Sequence, residues 1–269
     1  MIYLDYSANT PADPAVPEAF YRTEQTYIGN PNSTHPAGQA AQAEMTRVTE
    51  SIAGLLRVSP EEIIYTSGAS ESNNLALKGI VQMSRHIGRH VISTALEHSS
   101  VGGALFKRKD LVIEPQIHGG GSTTPYRSGT PTLGLAVSTE TALRLALEQQ
   151  DEWIAHVREL NGFLRAGLSK YPAVRINSPE NAVPHILNLS VSGVKGTVFQ
   201  QELGKRGVCV SVKSTCSVEG TPSKAVFAVN RDRKNALSSW RISLSHLTTM
   251  EEVREFLQIF DCCYKELVR

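Results

Sequence analysis

The sequence lacks the features of a membrane, secreted or zinc-binding protein. No apolar run approaches the ~20 residues that a membrane span needs. The opening stretch MIYLDYSANT carries an acid and no long apolar segment, unlike a signal peptide. Four cysteines in 269 residues are too few for a disulfide framework, and they lack the paired spacing of a zinc site. We therefore expect a cytoplasmic protein with reduced thiols.

An excess of charge of one sign is also missing. Lysine and arginine together number 27, against 26 aspartates and glutamates. This balance gives no reason to expect a nucleic acid or an anionic membrane as partner. The sequence has no internal repeat and no low-complexity linker, and its 41% hydrophobic content is that of an ordinary globular protein.

In the first half, predicted strands alternate with predicted helices, which favours an α/β layer with a mostly parallel sheet. The predicted strands are Ile2–Leu4, Glu62–Thr66, His90–Thr94 and Gly103–Phe106. Apolar spacing predicts a helix over Gln39–Leu56, and another is expected to begin at Glu71.

The second half changes character and predicts a smaller α+β domain. Apolar residues from Trp153 to Leu168 mark one face of a long helix, and Thr249 with Glu252 forms a capping box before a final helix. The predicted strands are His185–Val191, Val208–Val212 and Arg241–Leu244. We expect residues 15–140 to form the larger domain and residues 141–269 the smaller one, with residues 1–14 packed on the smaller.

Several polar stretches are candidates for chemistry, each with an ordinary alternative. In TSGASESNN (66–74), a predicted strand leads into the start of a predicted helix. The backbone N–H groups at such a turn suit a phosphate, but the same residues are also typical of an ordinary turn and helix cap. The glycine-rich IHGGGSTTPYRSGT (117–130) offers Arg127 and Thr130 to an anion, or is a surface loop. His98 follows a predicted strand and is either a ligand contact or a helix cap.

Two residues of the second half are candidates for binding and attack. Arg241 beside a predicted strand suits a bidentate grip on a carboxylate, or forms a surface salt bridge. Cys216 lies in the polar stretch VSVKSTCSVEG (210–220), without the apolar neighbours of a buried structural cysteine. This setting suits a reactive thiolate, whose pKa Lys213 could lower, although exposed thiols are also common.

Taken in order, the motifs resemble one enzyme family over nearly the whole chain. They are YLDYSANTPADP, GNPNSTHPAG, EIIYTSGASESNN, EH, QIHGGG, RSGT, ILNLSV, STCS and WRISLSHLTT. This series resembles the cysteine desulfurases of the NifS/IscS kind, class-V aminotransferase-like enzymes of fold-type I that use pyridoxal 5′-phosphate (PLP). The resemblance implies sulfur removal from L-cysteine to give L-alanine and a persulfide, a homodimer, and a sulfur-acceptor protein, such as an iron–sulfur cluster scaffold or a tRNA-thiolation protein.

The resemblance implies roles for four residues at the cofactor. Ala69 and Ser70 match the donors to the cofactor phosphate, and His98 matches the residue that stacks on the pyridine ring. Thr130 matches a phosphate contact that reaches across the dimer interface.

On the substrate side, the resemblance implies three further roles. Arg241 matches the residue that grips the carboxylate of L-cysteine, and Asn30 lies at the entrance to the same site. Cys216 matches the nucleophile that becomes a persulfide on a mobile loop.

The sequence departs from the family where LEHSS runs directly into VGGALFKRK. In the family, a segment on the order of a hundred residues, the size of a small domain, separates these pieces. It carries the Schiff-base lysine, the aspartate at the pyridine nitrogen, and an asparagine and a glutamine at the ring. None has a match here, and nothing in the sequence places Lys107, Lys109 or Lys213 at the cofactor carbonyl.

Without this segment, we expect a truncated large-domain sheet in which EIIYT and GGALF are neighbours. The helices lost with it would leave an apolar face that needs a partner. Three interpretations remain. The lysine-bearing segment is simply not part of this sequence, and the protein is a cysteine desulfurase. The deletion is real, and the chain is an inactive remnant that binds PLP weakly or not at all. Or the chain is a non-enzymatic partner or sulfur-acceptor module of a full-length desulfurase.

Overall fold

The computed structural model describes residues 1–83, 86, 104–108, 110–120, 125–130, 132–212 and 221–268. The chain divides into two compact units. Among the described residues, the C-terminal unit takes in Met1–Pro11 and those from 149 to 268, and the N-terminal unit takes in 12–83, 86 and those from 104 to 148.

Helices and short strands build both units. The helices are α1 (Ala15–Thr26), α2 (Pro36–Leu56), α3 (Ala69–Met83), α4 (Leu133–Leu168), α5 (Gly196–Lys205), α6 (Lys224–Asn230), α7 (Arg233–Ser238) and α8 (Met250–Leu267). The strands are β1 (Ile2–Tyr3), β2 (Ile63–Tyr65), β3 (Ala104–Phe106), β4 (Val174–Ile176), β5 (Ile186–Val191), β6 (Val208–Cys209) and β7 (Ser239–Ser243).

The C-terminal unit is built on an antiparallel sheet of order β4-β5-β7. Its core is aromatic, and four large rings in it have no exposed surface: Phe199, Trp240, Phe256 and Phe260. Phe199 and Trp240 stack at a centroid separation of 5.3 Å. Trp240 belongs to β7, so its packing against the other rings holds this strand and the neighbouring Arg241 in place.

Helical periodicity accounts for the two long helices of this unit. Val157, Leu160 and Leu164 on α4 are fully buried, as their spacing predicts. The capping box predicted before α8 is present, since Thr249 and Glu252 satisfy each other's backbone N–H groups.

The first residues of the chain join this unit by strand pairing. β1 runs parallel to β6, with Ile2 opposite Val208. The N–H of Leu4 donates to the carbonyl of Cys209 at 3.0 Å, and the N–H of Ser243 donates to the carbonyl of Leu4 at 2.7 Å. Leu4 therefore bridges β6 and β7.

The N-terminal unit packs the apolar side of α2 against the beginning of α4. Its core includes Met45, Val48 and Ile52 from α2, and Leu133 and Ala136 from α4. This face is the helical stripe that the sequence predicts for Gln39–Leu56.

The strand pair of this unit differs from the expected parallel arrangement. β2 and β3 are neighbours, as predicted, but they run antiparallel, with Ile63 opposite Phe106. The first residue of β3, Ala104, lies opposite the last residue of β2, Tyr65, so β3 starts at the edge of the pair where β2 ends. The predicted strand His90–Thr94 lies outside the described residues.

Replacing Phe260 by alanine is expected to lower the free energy of unfolding by about 3–5 kcal/mol, because a fully buried ring leaves a cavity. The matched control is Phe163→Ala on α4, whose ring is 40% exposed and which should cost less than about 1 kcal/mol. Urea denaturation measures both values. Equal losses from the two variants would contradict the burial of Phe260.

Candidate functional site

Arg241 is held by a carboxylate of its own chain. It lies in the middle of β7, and its Nη2 is 2.9 Å from Oδ1 of Asp5, two residues after the end of β1. The other oxygen of Asp5 accepts a hydrogen bond of 2.6 Å from the Ser211 hydroxyl. Ser211 and Arg241 also exchange two backbone hydrogen bonds, of 3.2 and 2.6 Å. The backbone hydrogen bonds to Ser211 therefore hold the main chain of Arg241, and the carboxylate of Asp5 holds its guanidinium.

The Nε edge of the Arg241 guanidinium is closed to an incoming ligand. Its Nε is buried and has no hydrogen-bond partner among the described residues. The side chain as a whole keeps 21% of its surface exposed. An incoming carboxylate would therefore meet the two terminal nitrogens, of which Nη2 already serves Asp5. The salt bridge and the carboxylate grip, left as alternatives by the sequence, are compatible with each other.

The start of α3 also holds an internal carboxylate. Ala69 and Ser70 form its first turn, where the N–H groups of a helix lack intrahelical partners. The Glu71 carboxylate accepts hydrogen bonds from the N–H and hydroxyl of Ser67, at 2.7 and 2.6 Å. Its other oxygen accepts one from Nε of Arg127 at 2.8 Å. The RSGT segment is thereby tied to the turn that the sequence predicts for a phosphate.

These contacts determine the ionisation of Glu71. Partial burial works to raise the pKa of Glu71, but hydrogen bonds from Arg127 and Ser67 outweigh it, so the pKa lies below its usual value. Glu71 is therefore ionised at neutral pH and neutralises the Arg127 that the sequence offers to an external anion.

Asn30 and Thr130 come together within the N-terminal unit. Nδ2 of Asn30 and Nδ2 of Asn32 each lie 3.5 Å from the Thr130 hydroxyl. The side-chain oxygen of Asn30 also accepts from the N–H of Asn32 at 2.9 Å, which fixes the turn. A Cβ on Gly38 would lie 2.3 Å from the carbonyl of Ser33, so this close approach of the backbone requires glycine.

Two predicted site residues, His98 and Cys216, lie outside the described residues, as do Lys109 and Lys213. The roles implied for them, and for the described positions, stay predictions.

Lys107 is placed as a structural lysine. It is 5% exposed, and its Nζ donates to the carbonyls of Arg108 and Leu111, at 3.0 and 2.8 Å. The same atom lies 4.8 Å from the ring centroid of Tyr126. An amine engaged in this way is poorly suited to attack a cofactor carbonyl.

Sequence reasoning missed the residues that hold the predicted ones. Asp5 and Ser211 contact Arg241, and Glu71 contacts Arg127, yet none was proposed as part of a site. Glu71 had a local signal, since an acidic residue in the first turn of a helix is favoured by the unpaired N–H groups there. Asp5 had none, because its partner lies 236 residues away.

Two kinds of feature are absent from the described ranges. No helix there is long and apolar enough to cross a membrane. No three His, Cys, Asp or Glu side chains there lie close enough together to hold a metal ion.

Comparison with known proteins identifies the family. The family described as aminotransferase class-V matches residues 2–114 and 101–256. The chain belongs to the class-V aminotransferase family. The "Cysteine desulfurase IscS" of Methylobacillus flagellatus is 27% identical over 369 aligned residues, which include 96% of this chain and 91% of that protein. Within the class-V family, this chain is therefore similar to the cysteine desulfurases of the IscS/NifS kind, which depend on PLP.

Solved structures establish the fold. A "NIFS-LIKE PROTEIN" superposes with a TM-score of 0.89 at 23% identity, covering 99% of this chain and 100% of that one. A second structure, "SspA in complex with cysteine", gives a TM-score of 0.73 at 20% identity, covering 93% of this chain and 100% of that one. The expected fold, α/β of PLP fold-type I, is confirmed.

Replacing Glu71 by glutamine is expected to lower the thermal midpoint at pH 7. Because the pKa of Glu71 is depressed in the folded protein, its contribution to stability is present above the ordinary value of 4.5 and is lost as the pH falls through the folded value. The gap between wild type and variant should therefore be widest at pH 7 and should narrow as the pH falls below 4.5. Melting curves at pH 7, 5 and 3 measure it. The exposed Glu50→Gln is the control and should show no such gap at any pH; a gap independent of pH would contradict the assignment.

Proposed function

We propose that this chain keeps the substrate-binding and sulfur-carrying parts of a cysteine desulfurase but does not itself turn over L-cysteine. Arg241 binds the carboxylate of L-cysteine, and Cys216 is the thiol that carries sulfur. The structural support for the first role is Arg241 on β7, which is paired with Asp5 and whose side chain keeps 21% of its surface exposed. The segment with the Schiff-base lysine is absent, so the chain lacks the group that would activate the substrate.

The length of the alignment supports the proposal that this chain does not turn over L-cysteine. The aligned region with the Methylobacillus flagellatus protein spans 369 residues, whereas this chain has 269 in all. On the order of a hundred positions of that relative therefore have no counterpart here, about the size of a small domain. The family also matches in two pieces that overlap at residues 101–114, next to the proposed junction after LEHSS.

The described residues fit only one end of the cofactor. At the phosphate end, Ala69 and Ser70 lie in the first turn of α3, where backbone N–H groups lack intrahelical partners, and Thr130 is a further candidate. At the aldehyde end, Lys107 is engaged by two backbone carbonyls and does not fit the role of the Schiff-base lysine. PLP would supply an electron sink if bound, but no step through it can be assigned to these residues.

The residues that remain can bind and orient a substrate. The terminal nitrogens of Arg241 provide parallel donors for a carboxylate. Asp5 removes part of the cost of keeping this cation half-buried while no ligand is bound. "SspA in complex with cysteine" shares the fold, which supports L-cysteine as the ligand to test first.

A homodimer is the proposed assembly. Leu77 and Val81, one turn apart on α3, are 60% and 41% exposed. Apolar side chains at this spacing suit a surface covered by a second copy. Sedimentation equilibrium should give twice the chain mass of 29.3 kDa. A mass of 29.3 kDa at all concentrations would refute the dimer.

The purified protein, incubated with PLP and L-cysteine, is expected to form no L-alanine above the level of a Cys216→Ala variant. Borohydride treatment with equimolar PLP should give no adduct concentrated at a single lysine, because only exposed surface amines are available to the cofactor aldehyde. Chromatography of amino acids and mass spectrometry measure the two results. Alanine production that Cys216→Ala abolishes would refute the proposed inactivity, and a covalent PLP adduct concentrated at a single lysine would show that another lysine has taken the role.

Binding of L-cysteine is tested separately from turnover. Arg241→Lys should weaken it about tenfold, because an ammonium cannot offer parallel donors to a carboxylate while serving Asp5. Cysteamine, which lacks the carboxylate, provides the matched probe in isothermal titration. Equal affinity of wild type and variant for L-cysteine would refute the role of Arg241.

A further inference from the structure

We propose that Asp5 is a positioning residue for ligand binding by Arg241, and that Ser211 holds Asp5 in place for this purpose. This inference rests on the proposed function of Arg241 and concerns two residues to which the family resemblance assigned no role. Asp5 would not contact the ligand. It would act through the orientation that it gives to the guanidinium.

Both oxygens of Asp5 are committed, which prevents the carboxylate from turning. One accepts from Nη2 of Arg241 at 2.9 Å, and the other accepts from the Ser211 hydroxyl at 2.6 Å. The side chain of Asp5 is 17% exposed, so competition from water is limited. A carboxylate held at both oxygens is a fixed anchor for a planar guanidinium.

The backbone around Asp5 is fixed as well. Asp5 forms a parallel bridge with Ser243 of β7. The N–H of Ser243 donates to the carbonyl of Leu4 at 2.7 Å, and the hydroxyls of Ser7 and Ser243 lie 2.6 Å apart. Because Arg241 is two residues from Ser243 on the same strand, anchor and guanidinium are held by one rigid element.

The orientation of the Arg241 guanidinium matters because a ligand cannot bind at its Nε edge. Its Nε is buried and has no partner within the described residues. A ligand carboxylate must therefore bind at the terminal nitrogens, and Nη2 must donate to Asp5 and the ligand at once. Each N–H of a guanidinium has a fixed direction, so only an anchored plane can present the second N–H of Nη2 together with Nη1.

The test compares Asp5→Asn, Asp5→Glu and Ser211→Ala with wild type, using L-cysteine and cysteamine as probes in isothermal titration. Asp5→Asn should weaken L-cysteine binding about tenfold, since a charge-assisted contact that orients Arg241 is lost. Asp5→Glu should recover part of the affinity. Ser211→Ala keeps the ion pair but frees one oxygen, and should give a smaller loss than Asp5→Asn. Cysteamine binding should not change in any variant.

The exposed Asp151→Asn on α4 is the matched control for loss of one negative charge. If wild type binds L-cysteine no better than cysteamine, the proposed function fails, and this inference fails with it. If wild type shows carboxylate-dependent binding but Asp5→Asn and Ser211→Ala bind like wild type, only the positioning role is overturned. Should Asp5→Asn fail to fold by circular dichroism, Ser211→Ala decides the question by the same comparison.

Discussion

The attachment of the first residues to the C-terminal unit is the constraint on which the candidate site depends. Leu4 bonds to Cys209 on one side and to Ser243 on the other. This pairing carries Asp5 to Arg241 and Ser211. Without the strand, Arg241 would lose the one carboxylate that pairs with it among the described residues, and an unpaired half-buried cation is costly in a protein interior. One short strand therefore both completes the unit and sets the charge distribution of the site.

The same arrangement occurs at the start of α3, where Glu71 holds Arg127. In both places an arginine predicted to bind an external anion is paired with a carboxylate of its own chain. Such pairs keep a cation in place at low cost when no ligand is bound, and they limit the directions from which an anion can approach. They differ in what remains accessible. Arg241 keeps part of its surface exposed, whereas Glu71 accepts from the N–H of Ser67 and so takes one donor of the turn that leads into α3.

Local signals in the sequence predicted the elements, and distant pairings decided the site. The buried face of α4 follows from apolar spacing, and the capping box at Thr249 from a pattern of four residues. The antiparallel direction of β2 and β3 depends on where the chain re-enters the sheet, which composition does not encode. Likewise, Asn30 and Thr130 meet although 100 residues separate them, and sequence motifs alone suggested only that both belong to a site.

The strand pairing of Asp5 and its neighbours has a consequence for synthesis on the ribosome. Asp5 must wait until Ser211, 206 residues later, has been made before it can form its hydrogen bond. At translation rates of roughly 5–20 residues per second, this delay is on the order of 10–40 s. During that time the opening strand has no native neighbour, and its unpaired backbone can join foreign strands. Nascent chains of this protein are therefore most exposed to misassembly, and to chaperones that bind extended segments, until Ser211 has left the ribosome.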